Sequence, residues 1–82
     1  MERPTAPAKV ERAKRRLQET VAKNLLRLRT EASLSQRQLS ERTGISTTYI
    51  SQAEQAKRNL SLDMIAVLAT AMDREPIDLI RE

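Results

Sequence analysis

Cysteine and histidine are both absent from the 82 residues, and so are phenylalanine and tryptophan. Without cysteine there are no disulfides and no thiolate metal sites, so no bridge restricts the redox compartment. Without histidine as well, most nucleophile–base pairs and most zinc chemistry are excluded. One glycine and three prolines are too few for the turns of a sandwich or barrel, and the missing aromatics are favoured strand formers. No apolar run approaches the roughly 20 residues needed to span a membrane. The opening Met1-Glu2-Arg3-Pro4 lacks the apolar stretch of a signal peptide. A cytoplasmic protein with no membrane partner is expected.

What is present favours helix. Leu, Ala, Arg, Glu and Gln are abundant, and all sit comfortably in helices. The length suits one domain with a thin core, which must be helix packed on helix or be completed by a second copy. The fold class is therefore all-α. Net charge is +4 but unevenly spread: residues 1–30 hold nine Lys or Arg against three Glu, and residues 31–82 hold six against eight acidic residues. A basic front suggests an anionic partner at one surface, although a solvated basic helix would look the same.

Residues 1–8 read as a frayed tail. Val10, Ala13, Leu17, Val21, Leu25, Leu28 and Ala32 then recur at three-or-four spacing and form one helical stripe. The spacing predicts a long helix over about 8–32, with Lys9, Arg12, Lys14, Arg15, Arg16, Lys23, Arg27 and Arg29 on its other faces. Residues 1–19 are expected as a basic extension and 20–82 as the domain proper. Ser35 and Gln38 form a capping box, predicting helix two from Gln36 to Thr43. Ser46 caps a third helix over Thr47–Glu54, and Ser61 a fourth that runs through Met72. Pro76 opens a short fifth helix. Gly44, the only glycine, falls where a left-handed turn is needed and where a side chain is expected to clash.

Two short helices joined by a three-residue turn containing Gly are a helix-turn-helix signature, here over about residues 35–54. Leu39, Ile45 and Ile50 are the positions that must face the core, and Ser40 is small enough for close helix approach. The run from Leu34 to Ser46, followed by Tyr49-Ile50-Ser51, Glu54 and Lys57-Arg58-Asn59-Leu60-Ser61-Leu62, resembles the phage-repressor and Cro-like (Xre-type) helix-turn-helix family. The resemblance spans about residues 20–80. The Tyr-Ile-Ser and Arg-Asn-Leu-Ser stretches are also similar to restriction–modification controller proteins. The family commonly carries arginine and glycine where this chain has Gln55 and Ala56, and controller-like relatives often have arginine in place of Thr47.

The resemblance implies a five-helix, lambda-repressor-like domain, here with a basic N-terminal helix or arm, whose third helix enters the major groove. Thr47, Thr48, Ser51 and Gln52 project outward from that helix, and the resemblance implies that they meet base edges. Gln52 is suited to a bidentate pair with adenine; ordinary solvated polar residues are the bland alternative for all four. Gln36, at the first turn of helix two, is implied to touch phosphate and brace helix three. Arg37, Lys57, Arg58 and Asn59 are implied to flank the groove and bind phosphates, which positions the protein without reading sequence. Arg58 has a second candidate role, an ion pair with Glu54 four residues earlier. Tyr49 either sends its hydroxyl to the DNA backbone or is a partly buried structural residue. The basic extension reads as a DNA arm, a solvated face, or a dimer contact through Val10 and Leu17.

Nine of the eleven residues from Leu62 to Met72 are apolar, and a helix apolar on nearly every side must be covered on nearly every side. Met72, Ile77, Leu79 and Ile80 are therefore expected at a homodimer interface. Two recognition helices would then reach successive major grooves about 34 Å apart on a near-palindromic operator. Expected is a dimeric, sequence-specific double-stranded DNA-binding transcriptional regulator, a repressor or autoregulator, with no cofactor, no metal and no enzymatic activity. RNA polymerase contact stays open as a further partner. The alternative is a protein-interaction module on the same fold, an antitoxin or an adaptor.

Overall fold

The computed structural model describes residues 7–82, which form α1 (Pro7–Glu31), α2 (Gln36–Thr43), α3 (Thr47–Glu54), α4 (Leu62–Ala71) and α5 (Ile77–Ile80). The expected tail over residues 1–8 lies outside the described residues up to position 6, while Pro7 and Ala8 are already helical. α1 runs through the expected boundary at residue 19 without a break. At 1.5 Å per residue its 25 residues span about 37 Å, which accounts for the long dimension of the 42 × 22 × 22 Å molecule.

Local caps set the helix ends. Ser35 accepts from the Gln38 amide while Gln38 Oε1 accepts from the Ser35 amide, completing the capping box. Ser46 and Ser61 accept from the amides of Tyr49 and Met64 at the starts of α3 and α4. Gly44 ends α2 with φ 77°, but a Cβ added there would have no neighbour within 4 Å. The expected clash is therefore corrected: glycine is needed for its backbone angle, because L-residues pay about 1–2 kcal/mol in the left-handed region.

Three other helix ends use the same angle without glycine, at Ser33, Ala56 and Asp73, with φ between 56° and 59°. Each closes a Schellman turn. After α3, for example, the Lys57 amide donates to the Gln52 carbonyl at 2.9 Å and the Ala56 amide to that of Ala53 at 3.1 Å. These bonds satisfy carbonyls that a helix end leaves open.

α1 packs on α3 and α5, α2 on α3 and α4, and α4 on α5. Leu25, Leu28, Leu39, Ile50, Leu68 and Leu79 are fully buried at their centre, each worth about 1.5–3 kcal/mol over exposure. Ile45 plugs the turn into this core, and Ala53 is buried beside it. Only the second half of the α1 stripe is covered: Val21, Leu25 and Leu28 are buried, whereas Val10 and Leu17 are exposed. Asn24 is the buried polar residue of α1, and its amide donates at 2.9 Å to the carbonyls of both Leu79 and Arg81. It ties α5 to α1, a role that the apolar stripe did not reveal.

The expected dimer residues divide. Met72 and Leu79 belong to the intramolecular core, so their side chains offer nothing to a second copy, which corrects that expectation. Ile77 and Ile80 stay exposed. Among the described residues no helix is long and apolar enough to cross a membrane.

Candidate nucleic-acid interface

A polar cluster links α1, α2 and α3 beside the turn residues. Arg29 of α1 donates from Nε and Nη2 to the two carboxylate oxygens of Glu54, at 2.6 and 3.0 Å, and from Nη1 to the Leu34 carbonyl at 2.8 Å. Gln36 Nε2 donates to the same Glu54 carboxylate at 3.0 Å. Glu54 is only 7% exposed and Arg29 14%, so little water competes for these bonds. They are bidentate and charge-assisted, the strong class. Glu54 raises the Arg29 pKa, chiefly through the hydrogen bonds and secondarily through its charge, against the opposing effect of burial.

This cluster settles two sequence expectations. Gln36 braces α3 through Glu54, as implied. The Glu54–Arg58 ion pair does not form, because the carboxylate is already held by Arg29 and Gln36. Helical projection puts Arg29 off the apolar stripe, and no local spacing reveals a partner 25 positions away.

Arg58 instead donates from Nε to Gln52 Oε1 at 2.7 Å, with its guanidinium 4.7 Å from the centre of the Tyr49 ring. Arginine has donors only, so Gln52 must turn its oxygen toward Arg58 and leave its NH2 as the free end. Tyr49 is half-buried against the core, and its hydroxyl makes a long 3.5 Å bond to the Asn59 carbonyl. Its side chain is thus built into the loop between α3 and α4.

Gln36, Thr47, Thr48, Ser51, Gln52 and Lys57 line one open depression of about 410 Å3. The structure thereby brings together all four expected base-reading residues and two of the expected phosphate contacts. Thr47, Thr48 and Lys57 are exposed, and Ser51 and Gln52 half-buried. Arg37 stands apart, paired with Glu41 at 3.9 Å with both side chains largely exposed. Asn59 accepts a hydrogen bond from Gln18 of α1, a tertiary contact that sequence gave no sign of. Hydroxyls and amides can donate to and accept from base edges, and cations can donate to phosphates.

The family model for helix-turn-helix domains matches residues 25–79. The control protein C.SmaI of Serratia marcescens is 37% identical over 57 residues, covering 70% of this chain and 68% of that protein. An uncharacterized HTH-type transcriptional regulator of Sinorhizobium fredii, y4dJ, is 31% identical over 64 residues, covering 78% and 83%. Among solved structures, the restriction-modification controller protein C.AhdI of Aeromonas hydrophila superposes with a TM-score of 0.73 at 39% identity, covering 76% of this chain and 94% of its own. The chain belongs to the helix-turn-helix (Xre-like) family of DNA-binding transcriptional regulators.

Proposed function

We propose that this protein is a homodimeric repressor or autoregulator of the restriction–modification controller type, reading a near-palindromic operator through α3. The observation that carries this is the shared depression holding Thr47, Thr48, Ser51 and Gln52 beside Gln36 and Lys57. The first four meet base edges; Gln36, Arg37, Lys57, Arg58 and Asn59 grip phosphates on either side, with Tyr49 bracing the loop. Residues 20–82 form the reading domain. The second copy packs on exposed apolar surface that includes Ile77, Ile80 and Leu62, which leaves both recognition helices on one face of the duplex. The protein acts in the cytoplasm, without a cofactor and without catalysis, and its own concentration is the input.

Selection of bound sites from a random duplex pool tests this. Gln52→Ala should relax preference at one or two base pairs, whereas Lys57→Ala should weaken binding to every sequence and flatten the salt dependence by about one unit. No selected sequence from the wild-type protein, or the same effect of both substitutions on selected and random DNA, would overturn it.

A further inference from the structure

We propose that the N-terminal half of α1 is a second, sequence-independent grip on duplex DNA, holding backbone phosphates next to those held by the α3–α4 loop. The inference rests on the DNA-reading role of α3 and adds to it a surface outside the family match, which begins at residue 25.

Three observations carry it. The first is continuity. Lys57 lines the recognition depression and also a larger open groove of about 720 Å3 whose other wall is α1. One lysine thus joins the base-reading face to the extension. The second is fixation: Gln18 of α1 donates to Asn59 of the loop, so the extension is tied to an expected phosphate-binding segment. The third is charge. Five cations line this groove against two carboxylates, Glu11 and Glu19.

Not all five are available. Arg16 is held by Glu82 at 2.8 Å and is left out. Arg15 lies 3.8 Å from Glu19, both well exposed, a contact that a phosphate can replace because such surface pairs are weak. Arg12, Lys14 and Lys57 make no ion pair among the described residues. Arg12 and Arg15, three residues apart, share a face of α1 along about 5 Å of helix, while Lys14 projects to a different side and still lines the groove. Duplex DNA carries one phosphate per about 3.4 Å of axis on each strand, so Arg12 and Arg15 suit neighbouring phosphates and Lys14 a further one along the groove.

A second copy of the chain is the competing occupant, since Val10 and Leu17 are exposed on this half of α1. It is disfavoured at the groove itself, where a symmetry mate would bring the same excess of cations; the second copy of the proposed dimer belongs on the adjoining apolar depression, where Leu62 and Ile80 meet Leu17 and border Lys14. Phosphates relieve that repulsion.

The test uses the full chain and a fluorescein-labelled random-sequence duplex of about 40 base pairs, titrated across a salt series. The triple variant Arg12→Ala, Lys14→Ala, Arg15→Ala keeps the helix, because alanine is the best helix former. Its salt slope should fall by about two to three units, with affinity lower by on the order of tenfold or more at low salt. Site selection should return the same base preferences as the wild type. The charge-retaining variant Arg12→Lys, Lys14→Arg, Arg15→Lys should keep the slope. An unchanged slope in the alanine variant while the wild type binds normally would overturn this inference and leave the role of α3 intact. A changed oligomeric mass with an unchanged slope would assign the surface to a second copy. No salt-dependent binding by the wild type would remove both.

Discussion

Arg58 holds the side-chain oxygen of Gln52 at 2.7 Å while stacking over Tyr49, so the residue best suited to read a base is oriented by its neighbour. A glutamine pairing with adenine uses both ends of its amide, the oxygen accepting from N6 and the NH2 donating to N7. With the oxygen directed at a guanidinium, the NH2 is the end presented outward, and it suits acceptors such as guanine O6 and N7 or thymine O4.

Wild-type protein should therefore select guanine or thymine at the position that Gln52 meets. Arg58→Ala should free the oxygen and shift that position toward adenine, with discrimination of about 1–3 kcal/mol at stake. Site selection with both proteins checks this. An adenine preference already present in the wild type, unchanged by Arg58→Ala, would show that Arg58 does not orient the amide.

Arg29→Ala should destabilise the fold by on the order of 3–5 kcal/mol, because it strands the Glu54 carboxylate in a nearly dry site. Arg29→Met with Glu54→Leu removes both charges and should recover most of that loss. Denaturant unfolding of the two variants decides it; equal losses in the single and the double variant would mean that packing, not the charge pair, sets the stability.

Ala56 occupies the left-handed position after α3 with φ 59°, a conformation that costs a non-glycine residue about 1–2 kcal/mol. Ala56→Gly should raise stability by roughly 0.5–1 kcal/mol once the greater freedom of glycine in the unfolded chain is subtracted. Gly44→Ala should do the reverse by a similar amount through its φ of 77°, with open space around the new methyl. Thermal unfolding of both variants should show melting temperatures moving in opposite directions.

The Arg16 hydrogen bond and charge hold the Glu82 carboxyl below its ordinary value of 4.5, against the opposing effect of burial and with smaller help from Thr20 and Lys23. A lowered folded value makes this tether between α1 and the C-terminal end fully present above about pH 4.5, and it is lost as pH falls through the folded value. A carboxyl-carbon NMR titration should place Glu82 below an ordinary glutamate, and Arg16→Gln should return it toward 4.5. Coincident titrations in the two proteins would show that the pair does not persist in solution.

Local sequence alone was enough for the starts of α2, α3 and α4, the end of α2 and the outward face of α3, whereas α4 stops at Ala71, one residue short of the expected Met72. Those features rest on interactions within four residues: Ser35 with Gln38, Ser46 with Tyr49, Ser61 with Met64, and the backbone angle at Gly44. Periodicity then separates Leu39 and Ile50 from Thr47, Thr48, Ser51 and Gln52 without knowledge of any neighbour. The long-range partners were set by the packing of the helices. It assigned Glu54 to Arg29 rather than to Arg58, turned Asn24 inward to the carbonyls of Leu79 and Arg81, and divided the expected dimer residues into buried Met72 and Leu79 and exposed Ile77 and Ile80. An apolar or charged residue carries no local mark of which distant group will meet it, because that choice is made by how helices pack, not by how they form.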